Sequence, residues 1–427
     1  MPSGERIRVV HIITTFSVGG ATETALLCAA GLNATGRFEV TILAGPPNSA
    51  EGSLFDDAEG WGVRVDTIPA LQRNISPWQD VAAFFQLTNA LKKSGCAIAH
   101  THSSKAGILG RMAARVANVP VIVHTFHGLP YTATSPVLQR VGYELIERCA
   151  GRISSGVFSV TRDILRRLRE ARIGAPERAW LARSGMDLDR FLRPDPGRDD
   201  VRRRWGVGPD DVLLGMVGRV HTGKGQDVIV RLAPEILKDA PKAKIAIIGT
   251  GPLKGPLEEQ VARAGLSDRV LFVGGIPVNE MPEAISALDV LVHVSEREGL
   301  ARVIVQALAC GKPVISYALD GSPEVIVDRL NGRLIPPGDD NALRDAIAEL
   351  VHNPQLREEW GAKGPAAVDP EFRAETMIKQ IEAGYRDLLQ DAGIACSASS
   401  GVQPFAEWLP SLREKPVSEG STSLGNS

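Results

Sequence analysis

Short aliphatic runs alternate with longer stretches of helical period along most of the chain, and the alternation happens twice. In the first half the runs fall at 7–13, 38–43, 63–65, 97–100, 121–125 and 156–160, with helical patterns such as 21–30, 81–93 and 105–117 between them. Strand, helix, strand is the βαβ unit, so the pattern predicts a mostly parallel sheet covered by helices. The polar stretch Asp195-Pro196-Gly197-Arg198-Asp199-Asp200 interrupts it and reads as a linker. The pattern then restarts at 212–217, 244–248, 270–273, 290–294 and 314–316. The expected fold is α/β, with two doubly wound, Rossmann-like domains over residues 1–190 and 205–371. A last amphipathic helix is expected at 375–389. Residues 391–427, rich in Ser and Gly, are expected to form a disordered tail with one apolar patch at Phe405, Trp408 and Leu409.

Composition limits the partners. Lys plus Arg number 48 against 50 for Asp plus Glu, a balance that speaks against binding nucleic acid through bulk charge. Five cysteines, at 28, 96, 149, 310 and 396, form no CxxC pair, so neither a disulfide framework nor a zinc ribbon is expected. The start, MPSGERIRVVHIITTF, lacks the apolar core and cleavage site of a signal peptide. No stretch approaches the ~20 apolar residues of a membrane span. A cytoplasmic protein is the expectation.

Ligands of parallel sheets bind beyond the carboxyl ends of the strands, so the segments that follow each strand carry the chemistry. After the first run, Gly19 and Gly20 precede a helix, where backbone N–H groups favour an anion; taken alone, they fit a tight strand–helix turn without ligand somewhat better, since such turns are common in doubly wound folds. The second half opens with Gly218-Arg219-Val220-His221-Thr222-Gly223-Lys224-Gly225. A guanidinium and an ammonium flanking a glycine-bearing loop suit a diphosphate, although the Walker pattern fails because Gly225 follows Lys224. Gly249-Thr250-Gly251-Pro252 resembles a dinucleotide fingerprint, but Pro252 and a late last glycine spoil the match. In Ser295-Glu296-Arg297-Glu298-Gly299-Leu300-Ala301-Arg302-Val303, followed by Gln306, an acid and an amide sit about two turns apart at a helix mouth. Both accept hydrogen bonds from sugar hydroxyls, and Gln also donates.

This last segment resembles the signature of glycosyltransferase family 4, retaining enzymes of the GT-B fold, in which two Glu are separated by seven residues. Glu298 fills the first place and Gln306 the second. Gly19-Gly20, His127-Gly128, Ser184-Gly185-Met186-Asp187, Gly218-Arg219 through Lys224-Gly225, Gly249-Thr250-Gly251-Pro252 and Asp320-Gly321-Ser322-Pro323-Glu324 follow the family order, over roughly residues 7–389.

The resemblance implies two domains facing across a cleft, with a helix at 372–389 returning to the first. It implies transfer of a sugar, with retention, from a nucleotide-diphosphate sugar to an acceptor hydroxyl, in cell-surface polysaccharide or glycolipid synthesis. Arg219 and Lys224 would hold the diphosphate, Glu298 the sugar hydroxyls, and the N–H groups of Gly299, Leu300, Ala301, Arg302 and Val303 the sugar and phosphate. Gln306 would meet the ribose, and Ile276 and Met281 the base. Gly19, Gly20, Gly249 and Gly251 would line the donor, and His127 would approach the sugar from the acceptor side. No cofactor or metal is expected beside the nucleotide sugar, the Asp187-Leu188-Asp189 triplet being read as chance. Two other functions remain open: an epimerase of nucleotide sugars on the same fold, and a non-catalytic binder, motivated by Gln306.

Two clusters stand apart. His100, His102, His124 and His127 gather at strand ends, as cleft-lining and hydrogen-bonding residues rather than metal ligands. Arg162, Arg166 and Arg169 share helical spacing, as a solvated face or as a contact with an anionic membrane leading to a lipid-linked acceptor.

Overall fold

The computed structural model describes residues 6–47, 52–131, 135–193 and 197–396. Seven strands build the first sheet: β1 (Ile7–Ile13), β2 (Phe38–Ala44), β3 (Arg64–Thr67), β4 (Ile98–His102), β5 (Val121–Phe126), β6 (Gly156–Ser159) and β7 (Ala179–Leu181). Six build the second: β8 (Val212–Val217), β9 (Ala243–Ile248), β10 (Val270–Gly274), β11 (Val290–His293), β12 (Val314–Tyr317) and β13 (Gly332–Ile335). Both sheets are parallel, in the orders β3-β2-β1-β4-β5-β6-β7 and β10-β9-β8-β11-β12-β13. Each order reverses once, between β1 and β4 and between β8 and β11, and at such a reversal the loops diverge and leave a crevice for a ligand.

Burial explains why these runs become strands. β4, β5 and β11 are buried at every residue, as expected for strands covered on both faces. In the first domain one face packs against the helix Gly20–Ala34 and the other against Pro77–Ser94 and Ser104–Val116. In the second, Gln226–Asp239 and Asp340–His352 cover one face and Arg302–Ala309 the other.

The last helix, Ala374–Asp391, seats Met377, Ile378, Ile381, Tyr385 and Leu388 in the first domain's core. The chain therefore passes between the domains twice, and the two passages touch: Met186 N–H donates to the Phe372 carbonyl at 3.0 Å and Ala374 N–H to the Met186 carbonyl at 3.1 Å. Met186, Leu188 and Phe191 pack into the second core, so by packing the first domain ends before residue 190. Residues 198–200 of the expected linker open the helix Arg198–Arg204, whose Arg202 binds Asp289 at 2.9 Å. Beyond Asp391, Ile394 and Cys396 lie against the first core, contrary to a tail disordered from 391; Phe405, Trp408 and Leu409 fall outside the described residues.

Candidate active site

The crevice of the second sheet is formed by the loops after β8 and β11. Lys224, from the first loop, makes an ion pair with Glu298 Oε1 from the second. Ser295 Oγ lies 3.3 Å from the same carboxylate oxygen and 3.2 Å from the Gly223 carbonyl, tying the loops together. The Glu298 N–H donates to Asp320 Oδ2 at 2.8 Å. Both side chains of the pair remain about a quarter exposed, so a ligand can reach them (26% and 28%). Arg219 is exposed on the same loop, and its carbonyl accepts from Gln226 Nε2 at 3.1 Å.

Other expected donor residues are placed differently. A side chain at Gly249 would lie 2.0 Å from the Gly218 carbonyl oxygen, and one at Gly251 would lie 2.2 Å from that of Val220. These two glycines let the loop after β9 pack backbone to backbone under the loop after β8. The helix after β11 starts at Arg302, so Gly299, Leu300 and Ala301 belong to the loop before it. Ala301 and Val303 are buried in the core, with Leu300 packed against it. Gln306 is half-buried along that helix, and Ile276 and Met281 rest half-buried on the same core beyond β10.

The first domain supplies the opposite wall. A side chain at Gly299 would lie 1.9 Å from the His127 carbonyl oxygen, so the two domains touch there. Arg302 crosses between the domains: its Nη1 donates to the Gly185 carbonyl at 3.1 Å and its Nε lies 3.5 Å from Glu23. Its aliphatic stem passes over Gly20, 3.1 Å from where a Cβ would stand. Gly19 precedes the helix Gly20–Ala34, whose Glu23 N–H binds the Gly19 carbonyl at 2.9 Å.

Two acids shape the floor. Asp320 joins the Glu298 backbone to Arg167 of the first domain, 3.2 Å away. Glu324 accepts the N–H groups of Arg162 at 3.0 Å and Asp163 at 2.8 Å, capping a helix of the other domain, and pairs with the buried Arg183. Local sequence assigns neither acid a role, because the first-domain groups they hold, the Arg167 guanidinium and the Arg162 N–H, lie 153 and 162 residues earlier in the chain.

His11, His100 and His102 place ring nitrogens within 4.8 Å of one another, the one metal-like cluster among the described residues. All six of those nitrogens already have a protein partner, on Tyr385, Thr125, His127 or one another. The cluster is thus a hydrogen-bonded network.

Residues 197–367 match the family of glycosyl transferases group 1, and residues 19–181 match the glycosyl transferase 4-like domain. The chain is a group 1 glycosyltransferase. Among its relatives is the Escherichia coli UDP-Gal:alpha-D-GlcNAc-diphosphoundecaprenol alpha-1,3-galactosyltransferase, 29% identical over 75% of this chain and 82% of the relative. The alpha-D-kanosaminyltransferase of Streptomyces kanamyceticus is 25% identical over 74% of this chain and 84% of its own. Two solved structures share the fold: sucrose-phosphate synthase of Thermosynechococcus elongatus (24% identity, TM-score 0.76, 90% of this chain and all of that one) and Anabaena HepE with UDP and glucose (20% identity, TM-score 0.75, the same coverage).

The glycosyltransferase keeps its inner histidines neutral. Burial, joined by Arg302, pushes His127 down to about 4, and burial brings His11 to about 3 and His293 to about 4. His100, His102 and His124 are also held well below their usual value by burial. In the unfolded chain each protonates near 6.5, so the unfolded state binds more protons as the pH drops. The associated stability is fully present above pH 6.5 and is lost as pH falls toward 4. Each such histidine weakens the fold by up to about 1.4 kcal/mol per pH unit in that window. Melting temperature should fall steeply from pH 6.5 to 4.5 at constant ionic strength; a flat profile there would contradict the burial argument.

Proposed function

We propose that this glycosyltransferase moves a sugar, with retention, from a nucleoside-diphosphate sugar to a hydroxyl of a lipid-linked glycan at a membrane surface. The observation that carries this reading is the Lys224–Glu298 pair, a quarter open at the crevice of the second sheet and close to the loop that meets His127 and Gly128. A diphosphate entering the crevice draws Lys224 toward itself and releases Glu298 to accept sugar hydroxyls. Lys224 and Arg219 then offset the charge that grows on the departing diphosphate, so no metal is required. The diphosphate takes the acceptor's proton on the face it leaves. Gln306 meets the ribose with one acceptor and two donors.

The relatives support a lipid-linked acceptor in glycolipid or polysaccharide synthesis: one acts on a diphosphoundecaprenol, and another, from Mycolicibacterium smegmatis, is a phosphatidylinositol monomannoside mannosyltransferase. The chain spans 82% of the first relative but 49% of the second. No described helix is long and apolar enough to cross a membrane. The arginine helix is a weak membrane contact, because Arg166 pairs with Asp163 and Glu170, and Arg162 with Glu371. A better surface lies on the neighbouring helices Pro77–Ser94, Ser104–Val116 and Val137–Arg152. They expose Trp78, Phe85, Val116, Leu138 and Leu145 alongside Lys92, Lys93 and Arg115.

Transfer to a diphosphate-linked acceptor from UDP- and GDP-sugars, with the anomeric proton read by NMR, tests the chemistry. The product should retain the donor configuration and form equally in EDTA; inversion, or strict dependence on a divalent cation, would overturn the reading. In a flotation assay with phosphatidylglycerol vesicles, Leu138→Glu with Leu145→Glu should weaken binding at least about tenfold, since each buried leucine contributes roughly 1.5–3 kcal/mol. Arg166→Glu should change it little.

A further inference from the structure

An unbroken file of hydrogen bonds runs from the cleft wall into the first domain. His127 Nε2 lies 3.1 Å from His102 Nδ1, and His102 Nε2 3.2 Å from His11 Nδ1. His11 Nε2 is 3.1 Å from the Tyr385 hydroxyl, which is 2.5 Å from His100 Nδ1. His100 Nε2 ends the file 2.6 Å from Thr125 Oγ1. Every inner member is buried, and Tyr385 belongs to the helix that returns from the second domain. The reading of the catalytic cleft given above is assumed only for what binds at its outer end.

Six groups share five links. Burial keeps the four imidazoles neutral, with one N–H each, and holds Tyr385 protonated. Each link needs one proton, and the buried Tyr385 hydroxyl has no acceptor beyond His11 and His100 among the described residues, so it must donate to one of them and the file points as a whole in one direction or the other. Thr125 decides which. Its buried hydroxyl has no partner other than His100 Nε2 among the described residues. If His100 donated to it, the hydroxyl proton would be buried without an acceptor, which is unfavourable. Thr125 therefore donates to His100 Nε2, and His100 carries its proton on Nδ1 and donates to Tyr385. Tyr385 donates to His11 Nε2, His11 Nδ1–H to His102 Nε2, and His102 Nδ1–H to His127 Nε2. His127 is left with its proton on Nδ1, the nitrogen that has no protein partner among the described residues.

We propose that this file locks His127 as the Nδ1–H tautomer, so that it meets an oxygen of the bound sugar as a hydrogen-bond donor, and that Thr125 and Tyr385 are positioning residues for that proton. A free imidazole side chain prefers the Nε2–H form, so the file holds His127 against its ordinary preference. It also excludes His127 as a proton acceptor while the file is intact.

Ring 15N spectra of the full-length, unliganded protein test this directly, with His127 assigned by subtracting the spectrum of His127→Gln. The wild type should show a bare Nε2 and a protonated Nδ1 at His127. Thr125→Val removes the terminal donor and should give a tautomer mixture, with kcat about tenfold lower and the donor KM within twofold. Thr125→Ser keeps the hydroxyl and should restore both. Tyr385→Phe should act like Thr125→Val. If it fails to fold, the valine and serine pair still decides. An Nε2–H signal in the wild type, or Thr125→Val spectra identical to wild type, overturns the proposal. The spectra need no substrate, so a failed transferase assay alone would count against the proposed reaction and leave this result standing.

Discussion

Lys224→Met lowers kcat/KM by about 10²–10³-fold, the usual cost of removing one preorganised charge from a site where negative charge develops. The loss should fall mainly on kcat, because the diphosphate gains charge as the sugar departs. Melting temperature should barely move: the Lys224–Glu298 pair is partly open to solvent, and such pairs contribute only about 0–1 kcal/mol to stability. Glu298→Gln is the informative companion. It removes the lysine's partner but keeps hydrogen-bonding capacity toward a sugar, so it should raise the donor KM while leaving the ammonium in place. A loss below about tenfold for Lys224→Met would mean that the diphosphate is neutralised elsewhere, and would remove the observation on which the proposed reaction rests.

Glu147→Ala has the opposite profile, a large effect on folding at a distance from the chemistry. Glu147 and Arg111 are both fully buried and paired at 2.7 Å. Arg111 Nε also donates to the Gly107 carbonyl at 2.7 Å, and the Tyr143 hydroxyl donates to Glu147 at 3.2 Å. Removing the carboxylate leaves a buried guanidinium without its counter-charge, which costs about 3–5 kcal/mol. In a domain of this size that lowers the melting temperature by on the order of 10 °C. The double change Arg111→Met with Glu147→Leu should recover most of it, since a buried pair replaced by apolar groups of similar volume is often neutral. Thermal unfolding of the three proteins checks this; a single mutant within about 1 kcal/mol of wild type would show that water reaches the pair. The helix that carries Glu147 also bears Leu138 and Leu145, so this ion pair anchors the surface proposed to meet the membrane.

How far the sequence foretold this molecule depends on the range of the forces involved. β1 and β8 were legible to the residue because aliphatic residues dominate both, with Arg8 and His11 the two polar breaks in β1 and none in β8. β7 and β13 were not: Ala179-Trp180-Leu181 is three half-buried residues, Gly332-Arg333-Leu334-Ile335 has a charge in the middle, and both lie at sheet edges. In the site, Lys224 and Glu298 stood out because strand ends select for ligand chemistry, and the structure joins them. Arg302 was expected to offer its N–H, whereas its side chain spans the two domains; Asp320 and Glu324 hold groups of the other domain. Such contacts arise only when distant segments meet, and no local spacing encodes them. Tyr385 looked like one more residue of an amphipathic helix for the same reason.

The adjacency of the two chain passages, Met186 against Phe372 and Ala374, has a mechanical consequence. Arg373, bound to Asp369 and Asp189, stiffens the same spot. Two passages side by side form one pivot, at which a few degrees of rotation would become ångströms of travel at the rim of the cleft. Substitutions at this pivot should alter how fast product escapes without touching any atom of the substrate.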